Sequence, residues 1–115
     1  MLKNKIIAII GTGNMGDALV SGLIGSGSST PQNIICSDVR QDKLDKIKTM
    51  YKVRTTTSNL KAVSQADIVI YAVKPQLMAS VLIETGKKLD MSKLVISIAA
   101  GVPLAAMESI AGVFK

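Results

Sequence analysis

Four short apolar runs recur along the chain, at residues 5–10 (KIIAII), 33–37 (NIICS), 67–73 (DIVIYAV) and 94–100 (LVISIAA). Within each run the apolar positions are continuous rather than alternating, which predicts strands covered on both faces, as in a parallel sheet. Residues 52–55 (KVRT) are a weaker fifth candidate. Between the runs, apolar residues fall at helical spacing among polar ones, predicting helices over residues 15–25, 41–50, 58–66 and 76–88. The segment GSGSSTP from Gly25 to Pro31 stops the first helix in a loop, Ser58 is placed to cap another, and Pro75 holds Lys74 extended just after a strand. A last helix is predicted over residues 102–111, opening at Pro103, a residue suited to a first turn. Strands alternating with helices require right-handed crossovers, so the expected class is α/β, a doubly wound parallel sheet of about five strands with helices on both faces. No repeat or linker divides the sequence, and one domain over residues 1–115 is expected.

Composition narrows the chemistry more than the fold. Aromatics make up only 3% of the chain, so its core must come from Ile, Val, Leu, Ala and Met. The net charge of +6 comes from 14 scattered Lys and Arg residues, and few aromatics accompany them to stack on bases. A solvated basic surface is expected, not a nucleic-acid interface. The single cysteine, Cys36, lies in an apolar run, which predicts a small buried strand residue and no internal disulfide. There is no histidine, which removes the commonest general base and metal ligand, so Ser-His-Asp and metal-dependent hydrolases are excluded and no metal is expected. The apolar part of MLKNKIIAII is about half the length of a signal-peptide core, and no run approaches the roughly 20 residues of a membrane span. A soluble, cytoplasmic protein with no membrane partner is therefore expected.

The segment GTGNMG, residues 11–16, follows the first predicted strand and opens the first helix. A lone glycine pattern of this kind is weak, but this context is the one that a dinucleotide fingerprint requires, and it specifies the Rossmann type of doubly wound sheet. Gly11 would make the tight turn, Gly13 would let a pyrophosphate approach the backbone, and Gly16 would let helix and strand pack closely. The free amides around Asn14 and Met15 would face the phosphates at the positive end of the helix dipole. The alternative is a close-packed turn with no ligand.

The second strand ends in Ser37-Asp38-Val39-Arg40, where the ribose of an adenosine should lie. Two readings stand. Asp38 is suited to accept from a ribose 2′-hydroxyl, which favours NAD, while Arg40 with Ser37 is suited to hold a 2′-phosphate, which favours NADP. The bland alternatives are a helix cap for Asp38 and a surface cation for Arg40. Further along, YAVKPQ (71–76) and SIAAGV (97–102) end two later strands, where ligands of such sheets collect. The small residues Ala72, Ala99, Ala100 and Gly101 permit close backbone approach, and Lys74 either supplies charge near a nicotinamide or is a solvated loop lysine.

The ordered set IGTGNMGDALVSGL, AVKPQ and ISIAAGV resembles the amino-terminal, NAD(P)-binding half of pyrroline-5-carboxylate reductases, over nearly the whole chain. The resemblance implies hydride transfer from NADPH or NADH to the cyclic imine pyrroline-5-carboxylate, giving proline, with NADP the favoured cofactor and NAD the alternative. It implies cofactor contacts at Ile10, Gly11, Thr12, Gly13, Asn14 and Met15 in the loop, and at Ser37, Asp38 and Arg40 in the corner. It adds Asn59 on the adenosine side, then Ala72, Val73, Lys74 and Pro75, and finally Ala99, Ala100 and Gly101. It names no catalytic residue in this stretch. The family continues past the position of Lys115 into a further strand and a helical domain that dimerises and binds most of the imine. The expectation is therefore that these 115 residues alone bind cofactor weakly, reduce no imine appreciably, and form a homo-oligomer only with that domain. The competing expectations are a non-catalytic regulatory or interaction protein of the same descent, or another Rossmann dehydrogenase, acting on a hydroxy acid or with a deazaflavin.

Overall fold

The computed structural model describes residues 4–89 and 93–97. Its strands are β1 (Ile7–Ile10), β2 (Ile34–Ser37), β3 (Arg54–Thr56), β4 (Ile68–Tyr71) and β5 (Leu94–Ser97). They form one parallel sheet in the order β3-β2-β1-β4-β5. The helices are α1 (Asn14–Gly25), α2 (Gln41–Tyr51), α3 (Asn59–Gln65) and α4 (Pro75–Thr85), each carrying the chain from one strand to the next. The order reverses between β1 and β4, which opens a crevice at the carboxyl ends of these two strands.

Continuous apolar strands work here because both faces of the central strands are covered. Ile7 and Ile9 point to one face, with Ile34, Cys36, Ile68 and Ile70, and meet Val20 of α1 and Leu44 and Ile47 of α2. Ala8 and Ile10 point to the other face, with Ile35, Val69 and Tyr71, and meet Ala62 and Val63 of α3 and Met78, Val81 and Leu82 of α4. Tyr71 is the largest fully buried side chain among the described residues. Thr85 donates its hydroxyl to the Val81 carbonyl at 2.8 Å, so its oxygen accepts from the Tyr71 hydroxyl at 2.7 Å and that polar tip is satisfied.

Local chemistry sets the boundaries. Ser58 caps α3, accepting from the Lys61 amide at 3.1 Å, and Lys74 is extended before Pro75, the first residue of α4. The α1 helix stops at Gly25, and Gly27 takes a φ of 75° in the turn that follows.

Three expectations change. The strand predicted at residues 52–55 occupies Arg54–Thr56, because Lys52 ends α2 in the left-handed conformation (φ 63°) and Val53 is buried before the pairing begins. Helix α4 ends at Thr85, and residues 86–88 tighten into a 3-10 turn. Among the described residues coverage on both faces fails for β5, which has a neighbour on one side alone and whose Leu94 and Ile96 are 57% and 39% exposed. The helix predicted over residues 102–111 lies outside the described residues.

Cys36 is fully buried in β2, and burial pushes its thiol up to about 12, so almost no thiolate exists near neutral pH. A disulfide reagent is expected to leave Cys36 unmodified in the folded chain and to react at once when denaturant is added. Rapid labelling under native conditions would contradict the burial.

Candidate functional site

Gly11 begins the site. Its amide donates to the Ser37 carbonyl at 2.8 Å, extending the sheet by one bond, and the chain then turns at a φ of 104°. A side chain is excluded twice over, since this φ disfavours L-residues and a Cβ would lie 2.9 Å from the Ala72 carbonyl oxygen. Gly16 packs from α1 back onto that turn, where a Cβ would overlap the Gly11 carbonyl oxygen. A Cβ on Gly13, by contrast, would meet nothing within 4 Å. Gly13 is also the residue before α1 and offers no side chain to cap it, so the amides of the first turn have no side-chain acceptor from the cap. The turn expected at Gly11 and the close packing expected at Gly16 thus have a direct geometric counterpart, and Gly13 has open space where a Cβ would be.

Asp38 ties this loop to the end of β2. Its Oδ2 accepts from both the amide and the hydroxyl of Thr12 at 2.9 Å, and its Oδ1 accepts from the Arg40 amide at 3.0 Å. Partial burial pushes the carboxyl up, but the Thr12 and Arg40 amides, the Thr12 hydroxyl and the charge of Lys43 together hold it below the usual carboxylate range. The Thr12 amide is therefore spent inside the protein. The helix-cap alternative for Asp38 is corrected, since Arg40 occupies the cap position of α2 and has no side-chain cap bond. The Arg40 guanidinium turns to Asp42, with Nη2 3.0 Å from Oδ2 and both side chains largely exposed.

Asn59 opens α3 and is buried. Its amide nitrogen donates to Glu84 Oε1 of α4 at 2.9 Å, and its Oδ1 accepts from the Ser37 hydroxyl at 2.7 Å. A carboxylate only accepts, so Glu84 fixes the way the Asn59 amide faces, and Ser37 must then be the donor. The Ser37 oxygen consequently shows only lone pairs to the rest of its surroundings. That suits a hydroxyl or an amine and opposes a phosphate. Glu84 gives no signal in the sequence; its place opposite Asn59 comes from the packing of α4 against α3.

These residues meet in one cleft of about 270 Å³ at the carboxyl ends of β1, β2 and β4. Gly11, Gly13, Ser37, Asp38, Arg40, Asn59, Ala72, Val73 and Lys74 all line it, joined by Val39, Lys43, Leu77 and Val81. Ile10 and Tyr71 are buried beneath. Thr12 lines a smaller neighbouring cleft, and Met15 and Pro75 stand exposed in the first turns of α1 and α4. Asn14 is the first residue of α1. Ala99, Ala100 and Gly101 lie outside the described residues. Among the described residues no helix is long and apolar enough to cross a membrane, and no cluster of His, Cys, Asp or Glu is able to hold a metal.

Comparison with known proteins bears on this geometry at several levels. Residues 6–101 match the model of a family described as NADP oxidoreductase, coenzyme F420-dependent. A pyrroline-5-carboxylate reductase of Methanosarcina acetivorans is 45% identical over 107 residues, which cover 93% of this chain and 40% of that protein. The structure of a pyrroline-5-carboxylate reductase from Coxiella burnetii superposes with a TM-score of 0.89 at 37% identity, covering 96% of this chain and 41% of that one. A Plasmodium falciparum pyrroline carboxylate reductase with NADP bound superposes with a TM-score of 0.82 at 28% identity, covering 95% and 38% respectively. The chain thus spans about two-fifths of the length of these relatives. The fold and the resemblance read from the sequence are borne out, and the chain belongs to the NADP oxidoreductase, coenzyme F420-dependent family, similar over nearly all its length to pyrroline-5-carboxylate reductases.

Proposed function

We propose that this chain is the dinucleotide-binding part of a reductase that uses NADPH to convert 1-pyrroline-5-carboxylate to proline. The single observation that supports it most is the cleft at the reversal of strand order, where an uncapped helix and a glycine with open space at its Cβ position stand together. The donor set fits the group. Backbone amides at Gly13, Asn14 and Met15 suit a pyrophosphate, while Asp38, Ser37 and Asn59 present acceptors suited to ribose and adenine. Ala72, Val73 and Lys74 follow β4 on the far side of the glycine loop, the side on which a nicotinamide would lie. NADPH, when bound, supplies the hydride. The protein's own contribution is to hold the loop rigid, through Asp38 and the Gly11–Gly16 contact, and to keep the cleft walls apolar at Leu77 and Val81.

Calorimetric titration of the purified chain with NADPH and with NADH tests the cofactor assignment. NADPH is expected to bind more tightly; no heat from either dinucleotide at millimolar concentration would overturn it. The imine substrate is tested separately. The gene's full reading frame is expected to restore growth without proline in a bacterium lacking its own pyrroline-5-carboxylate reductase, and failure to do so despite soluble expression counts against that substrate.

A further inference from the structure

Asn59 lines the main cleft beside Ser37 and Asp38, and its polar sense is set from outside that cleft. An amide side chain has two N–H donors and two lone pairs. One N–H goes to Glu84 and one lone pair accepts from Ser37, which leaves Asn59 one donor and one acceptor at fixed places. Half a turn of the amide would exchange them. The Ser37 hydroxyl does not choose between the two senses, because it donates to an oxygen or accepts from a nitrogen equally well. Glu84 does choose, because a carboxylate accepts and never donates. It is exposed near the end of α4, one turn beyond Val81, and is not among the residues that line the cleft. Helices α3 and α4 already share an apolar core through Ala62, Val63, Met78 and Leu82, so a bond to an exposed side chain is not needed to join them.

We infer that Glu84 is a positioning residue for the adenosine half of the dinucleotide, acting through Asn59 without touching the ligand. The inference rests on the dinucleotide reading above. With Glu84 in place, Asn59 keeps its oxygen towards Ser37 and its nitrogen towards α4, so the remaining donor and acceptor meet the ligand in one arrangement alone. A ligand matched to that arrangement meets donor with donor and acceptor with acceptor once the amide turns over, and a mismatch costs more than the bond it replaces. Charge alone has the opposite sign. A carboxylate near an anionic cofactor repels it, so without the tie to Asn59 this residue would only hinder binding.

Calorimetric titration of NADPH into the chain and its Glu84→Lys variant separates the two effects. Lysine donates and never accepts, so the Asn59 amide must turn over to meet it while Ser37 becomes the donor's acceptor, and every group keeps a partner. Glu84→Lys is therefore expected to melt close to the parent chain by circular dichroism, yet to bind NADPH about tenfold more weakly, although the reversed charge alone would tighten binding. Glu84→Gln, whose amide oxygen still accepts from Asn59, is expected to keep most of the affinity. In an Asn59→Ala background Glu84→Lys is expected to weaken NADPH no further. Binding by Glu84→Lys that equals or exceeds the parent's, or a tenfold fall that persists in Asn59→Ala, would overturn the inference and leave the dinucleotide reading intact. If Glu84→Lys unfolds, Glu84→Arg, also donor-only, takes its place; unfolding of both would assign the tie to the fold and overturn the inference as well. If the unsubstituted chain binds no dinucleotide, both readings fall together.

Discussion

Replacing Gly16 by alanine is expected to destabilise the chain, although the same change at Gly22, in the same helix, stabilises it. At Gly22 an added Cβ meets nothing within 4 Å, so the substitution only removes the backbone freedom of glycine in a helix, a gain of about 0.5–1 kcal/mol. At Gly16 the new methyl overlaps the Gly11 carbonyl oxygen, and Gly11 is itself held at a φ of 104° against Ala72. Backbone meets backbone, so no rotamer change relieves the contact. Overpacking of this kind costs about 3 kcal/mol at the upper end of its usual range, leaving a net loss of about 2 kcal/mol after the helix gain. For a domain of this size that lowers the melting temperature by roughly 8 °C. Thermal unfolding followed by circular dichroism reads both variants, and a Gly16→Ala variant as stable as Gly22→Ala would show that α1 does not rest on the loop. Dinucleotide affinity should fall along with stability in Gly16→Ala alone, because the turn that positions the Gly13 amide is the part displaced.

Gly16 also shows how far a sequence carries a structural argument. Three glycines between a strand and a helix already assign a turn, a ligand approach and a packing contact, since each role depends on the missing Cβ and on local chain direction. The central strands were equally legible, because a run such as IIAII can be buried on two faces only by helices on both sides. The same rule misread β5. Its residues are as apolar as those of β4, yet Leu94 and Ile96 stay exposed, since an apolar run records what a strand is able to bury and not what lies against it. The ribose corner was legible as a place but not as chemistry. Asp38 and Thr12 are 26 residues apart, and Asn59 and Glu84 are 25 apart. Nothing in their spacing says that these pairs meet, and the meeting decides which protons remain for a ligand. Lys43 passed unnoticed for the same reason, being one of 14 basic residues until the packing of α2 set it beside the loop.

Substituting Asp38 by asparagine should weaken the fold at neutral pH by about 0.5–1.5 kcal/mol, the net worth of one hydrogen bond, because the side-chain oxygen stays on the part-buried Thr12 and the exposed Arg40 amide loses its acceptor. The carboxylate accepts three hydrogen bonds, on both oxygens. An amide of the same shape has one oxygen, so its nitrogen must face either the Thr12 amide or the Arg40 amide, donor against donor. The pH dependence separates this from a change of shape alone. Asp38 titrates below its ordinary value when folded, so the unfolded chain takes up the proton first as the solution is acidified. The stability that Asp38 contributes is therefore complete above about pH 5, where an unfolded aspartate is almost fully ionised, and is lost as the pH falls through the unfolded and then the folded value. Urea unfolding of the chain and of Asp38→Asn across this range should show a gap that is widest at neutral pH and narrows on acidification. A constant gap would assign the loss to packing. Since the same three bonds anchor the glycine loop to β2, NADPH affinity is expected to fall in Asp38→Asn at neutral pH even under conditions where the variant remains fully folded.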